Sequence, residues 1–502
     1  MKYENIKDAM TALREHQFKQ AALGHAMGVL NYDAETVAPK ASADGRARTV
    51  GYLSELAYKL STDPELFELV DELDARKDEL DAEERRMVEI IKRSCDEISK
   101  IPMEEFIAFQ ELTSKAADVW RDAKQNSDFP TFQPYLEKIV EFQRRLAGYI
   151  KPELAPYNAL LDMYEEGLGM DSLDVFFAKL RTDLVPLIEA VGKCPRPDDS
   201  FTRQIYDIPT QREMSLKIMK SMGLDMDRLI LGEVEHPFTT SFNLGDNRIT
   251  THFHEDDMFS NIFSVLHEGG HAAYNMGSDP RYEYSVLCGG SSMSIHESQS
   301  RFYENIIGRS RAFADPLLAI CKEFFPEQLA NVDADLFWRV ANIAKPSLIR
   351  IDADELTYSM HIMVRYEIEK ALISGELKVS EVPGVWNELY KKYLGISPSN
   401  DREGCLQDTH WSGGAIGYFP SYALGSAYGA QFLHRMEKDL PAMWDSVAKG
   451  DLSSVSAWLH ERIHRHGSLY KPGELMRNIC GDFDAQYFVD YLTKKYGELY
   501  NL

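Results

Sequence analysis

The stretch His267-Glu268-Gly269-Gly270-His271 stands in a segment whose periodicity predicts an α-helix. Acidic residues 255–257 can cap the first turn, Gly277 can end the helix, and apolar residues recur between them at spacings of three and four, namely Met258, Phe259, Ile262, Phe263 and Leu266. On such a helix positions 267 and 271 are one turn apart and share a face. Two imidazoles with a carboxylate beside them are typical of a hydrolytic zinc site.

A His-Glu-x-x-His pattern also occurs without a metal. With 14 histidines in 502 residues, it arises by chance in roughly 3% of chains of this composition. The two glycines favour a metal site, because each glycine inside a helix costs about 1 kcal/mol relative to alanine. Gly269 and Gly270 therefore predict a place where another backbone, or a substrate, comes close.

A catalytic zinc ion needs a third protein ligand and an open position for water. The metzincin pattern does not supply that ligand, because Tyr274 stands where the pattern has glycine and Gly277 stands where it has histidine. Glu297 is the better candidate, on a predicted helix that Ser291 or Ser292 can cap.

Two interpretations of Glu297 are open from spacing alone. Its helix can pack against the first helix with Glu297 facing the histidines, or Glu297 can be one solvated carboxylate among 80 acidic residues. Glu283 and Glu304 are weaker candidates for the third ligand. Glu304 is better placed to support a ligand histidine.

Composition excludes several classes of partner. A net charge of -25 argues against nucleic acid and anionic membranes. The first residues lack an apolar core of signal-peptide length, and no segment approaches 18 uninterrupted apolar residues, so we expect a soluble intracellular protein. Six dispersed cysteines without Cys-x-x-Cys spacing indicate neither a disulfide framework nor a cysteine zinc site.

Helical periodicity predicts a mostly α fold. It runs through 65–100, 132–149 and 172–191, with breaks at 151–152, 194–199 and 395–400. The exception is 239–253, where β-branched residues around Leu244-Gly245-Asp246-Asn247 predict a β-hairpin just before the metal helix. The hairpin edge can hold an extended peptide by main-chain hydrogen bonds, or it can be a structural ribbon.

Six clusters in a fixed order carry a family resemblance over the whole length. They are His236-Pro237-Phe238, Asp246-x-Arg248-x-Thr250, the 267–271 motif, His296-Glu297-Ser298, Ile349-Arg350-Ile351-Asp352-Ala353-Asp354 and Gly404-Cys405-Leu406-Gln407-Asp408-Thr409-His410-Trp411. The set resembles the carboxypeptidase Taq family of zinc metallocarboxypeptidases. Residues 31–36 look like the family's early acidic segment, although Tyr32 replaces the usual tryptophan.

The resemblance implies a helical, two-lobed body with a deep central groove, similar in shape to angiotensin-converting enzyme and neurolysin. Residues 1–200 would form the lobe that covers the groove, and residues 201–502 the catalytic lobe. It further implies a homodimer with one zinc ion per chain, which cobalt can replace. Together with the composition, this leads us to expect a cytoplasmic location. Such enzymes release single C-terminal residues from peptides with broad preference and act poorly on C-terminal proline.

The resemblance also gives roles to residues of this chain. His267, His271 and Glu297 would hold the metal ion, and Glu268 would act as general base and then general acid. His410, together with Tyr418 or Tyr422, would donate hydrogen bonds to the developing oxyanion.

An exopeptidase must recognise the free carboxylate of its substrate, a task suited to the planar fork of arginine. The resemblance favours Arg350, with Arg248 second, although by spacing alone either can pair with Asp352, Asp354 or Asp246. His236, Gln407 and Asp408 would line or brace the site.

Five further histidines are not expected to bind the metal ion, and two alternative functions are open. His252 and His254 are expected to order the groove wall, and His460, His464 and His466 to lie on a solvated helix face. The nearest rival function is an endopeptidase or a dipeptide-releasing enzyme on the same fold. A silent helical scaffold is a third possibility, but it predicts a lost ligand or base, and both are present.

Overall fold

The computed structural model describes residues 2–502 and is mostly helical, as the periodicity predicts. Within that range, no helix is both long enough and apolar enough to cross a bilayer. The first half of the chain contributes the helices α1 (Ile6–Thr36), α2 (Ala43–Ser61), α3 (Pro64–Ala75), α4 (Ala82–Ser99), α5 (Met103–Asn126), α6 (Phe129–Ile150), α7 (Pro156–Tyr164), α8 (Met170–Val191) and α9 (Ile208–Ser221).

The second half holds the sheet and the remaining helices. The strands are β1 (Leu229–Glu233), β2 (Thr239–Asn243) and β3 (Asp246–Thr251). The helices are α10 (Met258–Met276), α11 (Met293–Arg301), α12 (Arg311–Phe324), α13 (Ala334–Ala341), α14 (Glu355–Ser374), α15 (Val382–Leu394), α16 (Pro420–Asp439), α17 (Met443–Val447), α18 (Ser453–Arg462), α19 (Pro472–Cys480) and α20 (Gln486–Tyr500).

Helix boundaries follow the breaks that the sequence predicts, and the structure adds one more. The predicted breaks at 151–152, 194–199 and 395–400 all lie outside helices or at their ends. The periodic stretch 65–100 is not one helix but two. Asp81 accepts from the backbone N–H of Glu84 while Glu84 accepts from that of Asp81, and this capping box starts α4 afresh.

The predicted hairpin is confirmed, and the sheet contains one strand more. β2 and β3 pair antiparallel, and β1, which the sequence analysis missed, pairs parallel with β3. The order β1-β3-β2 makes β2 an edge strand. α10 follows β3 after a short turn, so the sheet lies directly beside the 267–271 motif.

Buried apolar side chains form two clusters. The smaller one joins α1, α3 and α4 to Tyr282 and Leu287, and the larger one takes in residues from Ala116 to Leu499, including α10, α11 and α16. The segment that follows α10 therefore belongs to the smaller cluster, while α10 itself belongs to the larger one. The division into lobes at residue 200 stays a prediction.

Candidate metal centre

α10 forms where the sequence predicts it. Asp257 caps its first turn by accepting from the N–H groups of Phe259 and Ser260, each at 3.1 Å, and Gly277 ends it. The imidazole rings of His267 and His271 lie on one face, with centroids 5.0 Å apart.

The two glycines of the motif permit close packing against protein, not substrate. A Cβ added at Gly270 would lie 2.4 Å from the carbonyl oxygen of Gln299 and 2.7 Å from the Cα of Ser300, both in the backbone of α11. A Cβ at Gly269 would meet the side-chain end of Met222 at 2.6 Å. The approach of a second backbone, one of the two predicted explanations, is therefore the correct one at Gly270.

That approach brings Glu297 to the histidines. Ser292 caps α11, and Glu297 Oε2 lies 3.7 Å from Nε2 of His267 and 3.6 Å from Nε2 of His271. Glu297 is only 6% exposed, so it is not a solvated carboxylate. Gly425 of α16 packs on it from the other side, because a Cβ at that glycine would lie 2.6 Å from Glu297 Cβ.

The hydrogen bonds of the imidazoles leave the correct nitrogens free for a metal. Nδ1 of His267 donates to Glu304 Oε2 at 2.9 Å. Nδ1 of His271 lies 2.6 Å from Nδ1 of His296, whose Nε2 donates to Asn275 Oδ1 at 2.9 Å. His296 Nδ1 is then an acceptor, so His271 Nδ1 carries a proton. Both Nε2 atoms are left as acceptors facing Glu297.

These observations fit a divalent metal ion. Two imidazole nitrogens and one carboxylate oxygen all lie within 4.8 Å of one another, and they are the donor atoms that such ions take. Burial together with the neighbouring His296 holds the pKa of His271 well below its ordinary value, so this ring is neutral and able to bind a metal.

An arginine whose side chain is 14% exposed balances the acidic groups. Arg301 Nε donates to Glu297 Oε1 at 2.7 Å, and its Nη1 donates to Glu304 Oε2 at 3.2 Å. Burial opposes ionisation of Glu304, but Arg301 and the hydrogen bond from His267 hold the pKa of Glu304 well below its ordinary value. A π-helical turn, Phe302–Gly308, continues α11 and carries Glu304.

Glu268 is held by a residue that the sequence analysis missed. The hydroxyl of Thr239, the first residue of β2, donates to Glu268 Oε2 at 2.5 Å. Glu268 is 6% exposed, and burial raises the pKa of its carboxyl group. The edge strand is therefore attached directly to the predicted general base.

The residues predicted to assist the oxyanion lie together. His410 Nε2 is 3.3 Å from the hydroxyl of Tyr422, and the Tyr418 ring packs edge-on against Tyr422 at 5.2 Å. Burial lowers the pKa of His410 to about 4 and raises those of both tyrosines. At neutral pH the imidazole is uncharged and both phenols keep their protons. The charge of Glu297 also raises both tyrosine pKa values, since the two phenols lie near the metal ligands.

Arg350 is paired, but not with the carboxylates near it in sequence. Its Nε and Nη2 donate to Asp408 at 3.1 and 2.8 Å, and its Nη1 donates to the hydroxyl of Tyr358 at 3.0 Å. The Tyr358 ring lies under the guanidinium of Arg301 at 4.3 Å. Tyr358 thus connects the arginine beside Glu297 with Arg350.

The remaining predicted site residues divide into braces and surface groups. Asp408 also binds the fully buried Arg365, and Gln407 Oε1 accepts from Arg365 Nη2 and from the backbone N–H of Arg350, each at 2.8 Å. Gln407 and Asp408 therefore brace Arg350. His236 is exposed between β1 and β2.

Arg248 has its own partner. It forks onto Asp246 with two contacts of 2.9 Å, and its guanidinium lies between the rings of Tyr32 and Phe242 at 4.9 and 4.8 Å. Tyr32, the departure from the family pattern, thus helps to hold α1 on the sheet.

The other histidines singled out in the sequence, and Glu283, lie outside the cluster of metal-binding donor atoms. The prediction that His464 is solvated is wrong, because His464 is 3% exposed and its Nε2 lies 2.9 Å from Gln299 Oε1. The reason is Gly277, whose missing side chain leaves room for His464 against the end of α10. His252 Nδ1 lies 2.9 Å from the carbonyl oxygen of Val234, so this histidine contacts the loop after β1. Its expected role in ordering the groove wall stays a prediction. Glu283 accepts from the N–H of Leu244 and is not one of the clustered donors.

Comparisons with known proteins agree on one family. The model of the carboxypeptidase Taq (M32) metallopeptidases matches residues 12–496. The chain is 42% identical to carboxypeptidase 1 of Bacillus subtilis over 95% of this chain and 96% of that protein. It is 38% identical to thermostable carboxypeptidase 1 of Pyrococcus furiosus, again over 95% and 96%. A crystal structure of an M32 carboxypeptidase from Deinococcus radiodurans superposes with a TM-score of 0.96 at 35% identity, covering 99% and 100% of the two chains.

Proposed function

The chain belongs to the carboxypeptidase Taq (M32) metallopeptidase family and is a metallocarboxypeptidase, and from this premise we propose how its residues remove a single C-terminal amino acid. We propose zinc as the metal ion, with cobalt as a substitute, one per chain, held by His267, His271 and Glu297. The observation that carries the proposal is the convergence of these three side chains beside a buried glutamate. A metal ion held there would lower the pKa of a bound water to about 7 and polarise the scissile carbonyl.

We propose Glu268 as the general base. Its Oε2 is tied to Thr239, so Oε1 is the oxygen that would accept the proton of the attacking water and deliver it to the leaving amine. Burial supports this role, because the raised pKa of Glu268 brings the carboxyl group closer to the pH at which it must both take and return a proton.

The tyrosines and His410 are proposed as donors to the developing oxyanion. Both tyrosines keep their protons at neutral pH, and one well-placed donor is typically worth about 3 to 4 kcal/mol of transition-state stabilisation. We expect Tyr422 to be oriented by His410, through the 3.3 Å contact, while Tyr418 stays the alternative. Comparison of Tyr418→Phe with Tyr422→Phe assigns the role. Removing the hydroxyl that donates to the oxyanion should lower kcat and change KM much less.

Arg350 is proposed to bind the terminal carboxylate of the substrate. Asp408 takes one edge of its guanidinium, and the remaining N–H bonds of Nη1 and Nη2 are the ones that would face the carboxylate. Arg248 is the second candidate, but its stacking between two aromatic rings supports a role in holding α1.

Kinetics on free and amidated peptides tests the role of Arg350. Arg350→Ala should lower kcat/KM for peptides with a free C-terminus by roughly 10- to 100-fold, because a hydrogen bond to a charged group is lost. Arg248→Ala tests the second candidate and should leave the ratio of kcat/KM between free and amidated peptides unchanged. An equal loss on amidated peptides would assign Arg350 a structural role. Cleavage of amidated peptides by the wild type would favour the endopeptidase or dipeptide-releasing alternative.

We propose that the peptide lies along the free edge of β2, in a central groove between a covering lobe (1–200) and a catalytic lobe (201–502). The edge position of β2 and its contact with Glu268 support this path, since an extended peptide can add to an edge strand. Broad preference, poor action on C-terminal proline, a homodimer and a cytoplasmic location belong to the same proposal. Size-exclusion chromatography with light scattering tests the dimer.

Metal analysis combined with one assay tests the function as a whole. The purified protein should hold one metal ion per chain and release the terminal residue from an N-blocked dipeptide. Removal of the metal by a chelator should abolish this activity, and zinc or cobalt should restore it. Stoichiometric metal without release of the terminal residue would overturn the proposal.

A further inference from the structure

A cavity of about 370 Å³ is separate from the candidate metal centre and has no role in the mechanism. Its walls come from α1, the end of β2, the end of α10 and the segment 283–289. Asn275, the residue that holds His296, contributes to the wall. Small-ligand sites have volumes of about 300 to 1,000 Å³, so one or two peptide residues fit this space.

The cavity lies on the path that the free edge of β2 offers. Thr239, at the start of the strand, contacts Glu268, while residues 241–244, at its end, line the cavity. A strand rises by about 3.3 Å per residue, so Asn243 in the cavity wall lies about 13 Å along β2 from Thr239, which contacts the general base. An extended peptide would reach the cavity about three to four residues from the scissile bond. A carboxypeptidase leaves one residue on the other side, so these residues precede the bond.

The charge in the cavity has one sign. Glu283 is the one ionisable carboxylate among the lining residues, which include no lysine, arginine or histidine. One oxygen of Glu283 accepts from the backbone N–H of Leu244 at 3.3 Å, and within residues 2–502 the carboxylate has no ion-pair partner. A half-buried, unpaired carboxylate in a polar cavity suits an ammonium or guanidinium group.

The wall that carries Glu283 is held in a strained conformation. Tyr284 has a φ of 62°, in the left-handed region that non-glycine residues seldom adopt. Its ring packs edge-on against Phe18 of α1 at 5.3 Å. Gln17, also on α1, accepts from the backbone N–H of Val286 at 2.8 Å. Strained residues held by their surroundings are concentrated at binding sites.

We propose that this cavity is an upstream substrate subsite in which Glu283 binds a cationic group of the peptide, located about three to four residues before the scissile bond. The proposal rests on the proposed carboxypeptidase function. The cation can be a basic side chain or the free amino terminus of a short peptide, because both present the same charge.

Three pentapeptides that share the ending Ala-Ala-Ala-Leu test the subsite. Two are acetylated and begin with lysine or glutamine, and the third begins with glutamine and has a free amine. Wild-type enzyme should favour one or both cationic peptides about fivefold in kcat/KM through a lower KM, a ratio that converts to about 1 kcal/mol. Preference for lysine alone assigns a side chain, and preference for the free amine assigns the amino terminus.

The decisive variant is Glu283→Gln, which keeps an acceptor for the N–H of Leu244 and removes the charge. It should abolish the preference and leave kcat/KM for the acetylated glutamine peptide unchanged. Glu189→Gln makes the same charge change at an exposed position of α8 and should retain the preference. Equal kcat/KM for all three peptides, or a preference that survives Glu283→Gln, overturns the proposal.

A second measurement does not depend on turnover. Cys288 lines the cavity and is partly accessible, and burial raises the pKa of its thiol, so iodoacetamide is applied at about pH 9. In the inactive Glu268→Gln variant, the favoured cationic peptide should slow alkylation of Cys288 and not that of Cys194, which is also partly accessible but does not line the cavity. No protection of Cys288 overturns the subsite. If the wild type holds metal but releases no leucine, the proposed function fails, and protection of Cys288 still decides whether the cavity binds peptide.

Discussion

Gly270 gives the sharpest test of how Glu297 reaches the two histidines. An alanine Cβ at this position would lie 2.4 Å from the carbonyl oxygen of Gln299 and 2.7 Å from Cα of Ser300, where ordinary contact begins at 3.4 Å. Because both atoms belong to the backbone of α11, no side-chain rotation relieves the contact. α11 must therefore move away from α10 by about 1 Å.

The magnitude follows from two opposing effects in Gly270→Ala. Overpacking of this kind costs about 1 to 3 kcal/mol, and alanine recovers about 1 kcal/mol of helix propensity. We expect a net loss of about 0 to 2 kcal/mol in the unfolding free energy of the metal-free protein. Glu297 is carried by the same short helix, so metal affinity should fall at least about tenfold.

Urea unfolding and competition with a chromophoric chelator measure the two quantities. Gly148→Ala in α6 is the matched control, since its Cβ meets open space and should stabilise the protein by about 0.5 to 1 kcal/mol without changing metal affinity. Gly269→Ala should lie between the two, because its Cβ meets the flexible end of Met222. If Gly270→Ala behaves like Gly148→Ala, close packing of α11 does not position Glu297, and the reasoning is refuted.

Three further predictions concern single carboxylates. Glu268→Gln should lower kcat by at least about 100-fold and leave metal content unchanged; loss of metal in parallel would show a ligand-like role instead. Asp408→Asn should destabilise the protein by about 3 to 5 kcal/mol in urea unfolding, because Arg350 and Arg365 lose a buried partner, and a change below about 1 kcal/mol would contradict this. Burial raises the pKa of Glu165 from 4.5 to about 7. Below pH 4.5 the carboxyl group is protonated in both the folded and the unfolded protein. Between pH 4.5 and pH 7 it ionises more readily in the unfolded protein, so the free energy of unfolding falls over this range. Relative to wild type, Glu165→Gln should therefore gain on the order of 3 kcal/mol between pH 4.5 and pH 8, and equal pH profiles would exclude the titration of this group.

The local geometry of the site could be predicted from the sequence. A helix places residues four apart on one face, so His267 and His271 had to share a side once the apolar periodicity around them was recognised. The caps at Asp257 and Ser292, the stop at Gly277 and the hairpin before α10 also depend on residues within a few positions of one another. Interactions of this range are encoded in spacing.

The long-range partners could not be predicted in the same way. Arg350 pairs with Asp408, 58 residues away, although two aspartates lie within four residues of it. Thr239 holds Glu268 across 29 residues, and His464, which spacing assigned to solvent, is buried against α10 and α11. Each of these contacts depends on which helix and strand faces meet.

The family resemblance supplied the identity of the site residues, but not the way in which they are supported. His296 stood in a quoted motif without a role, and only its contact with His271 shows that it fixes the protonated nitrogen of a ligand. Sequence by itself determined the helix, the shared face of His267 and His271, and the carboxylate of Glu268 beside them. These features depend on the 3.6-residue period of the helix and on residue chemistry. Only the tertiary structure decided that Gly270 lets two backbones approach and that Glu297 completes the cluster, because side-chain packing between distant segments sets those distances.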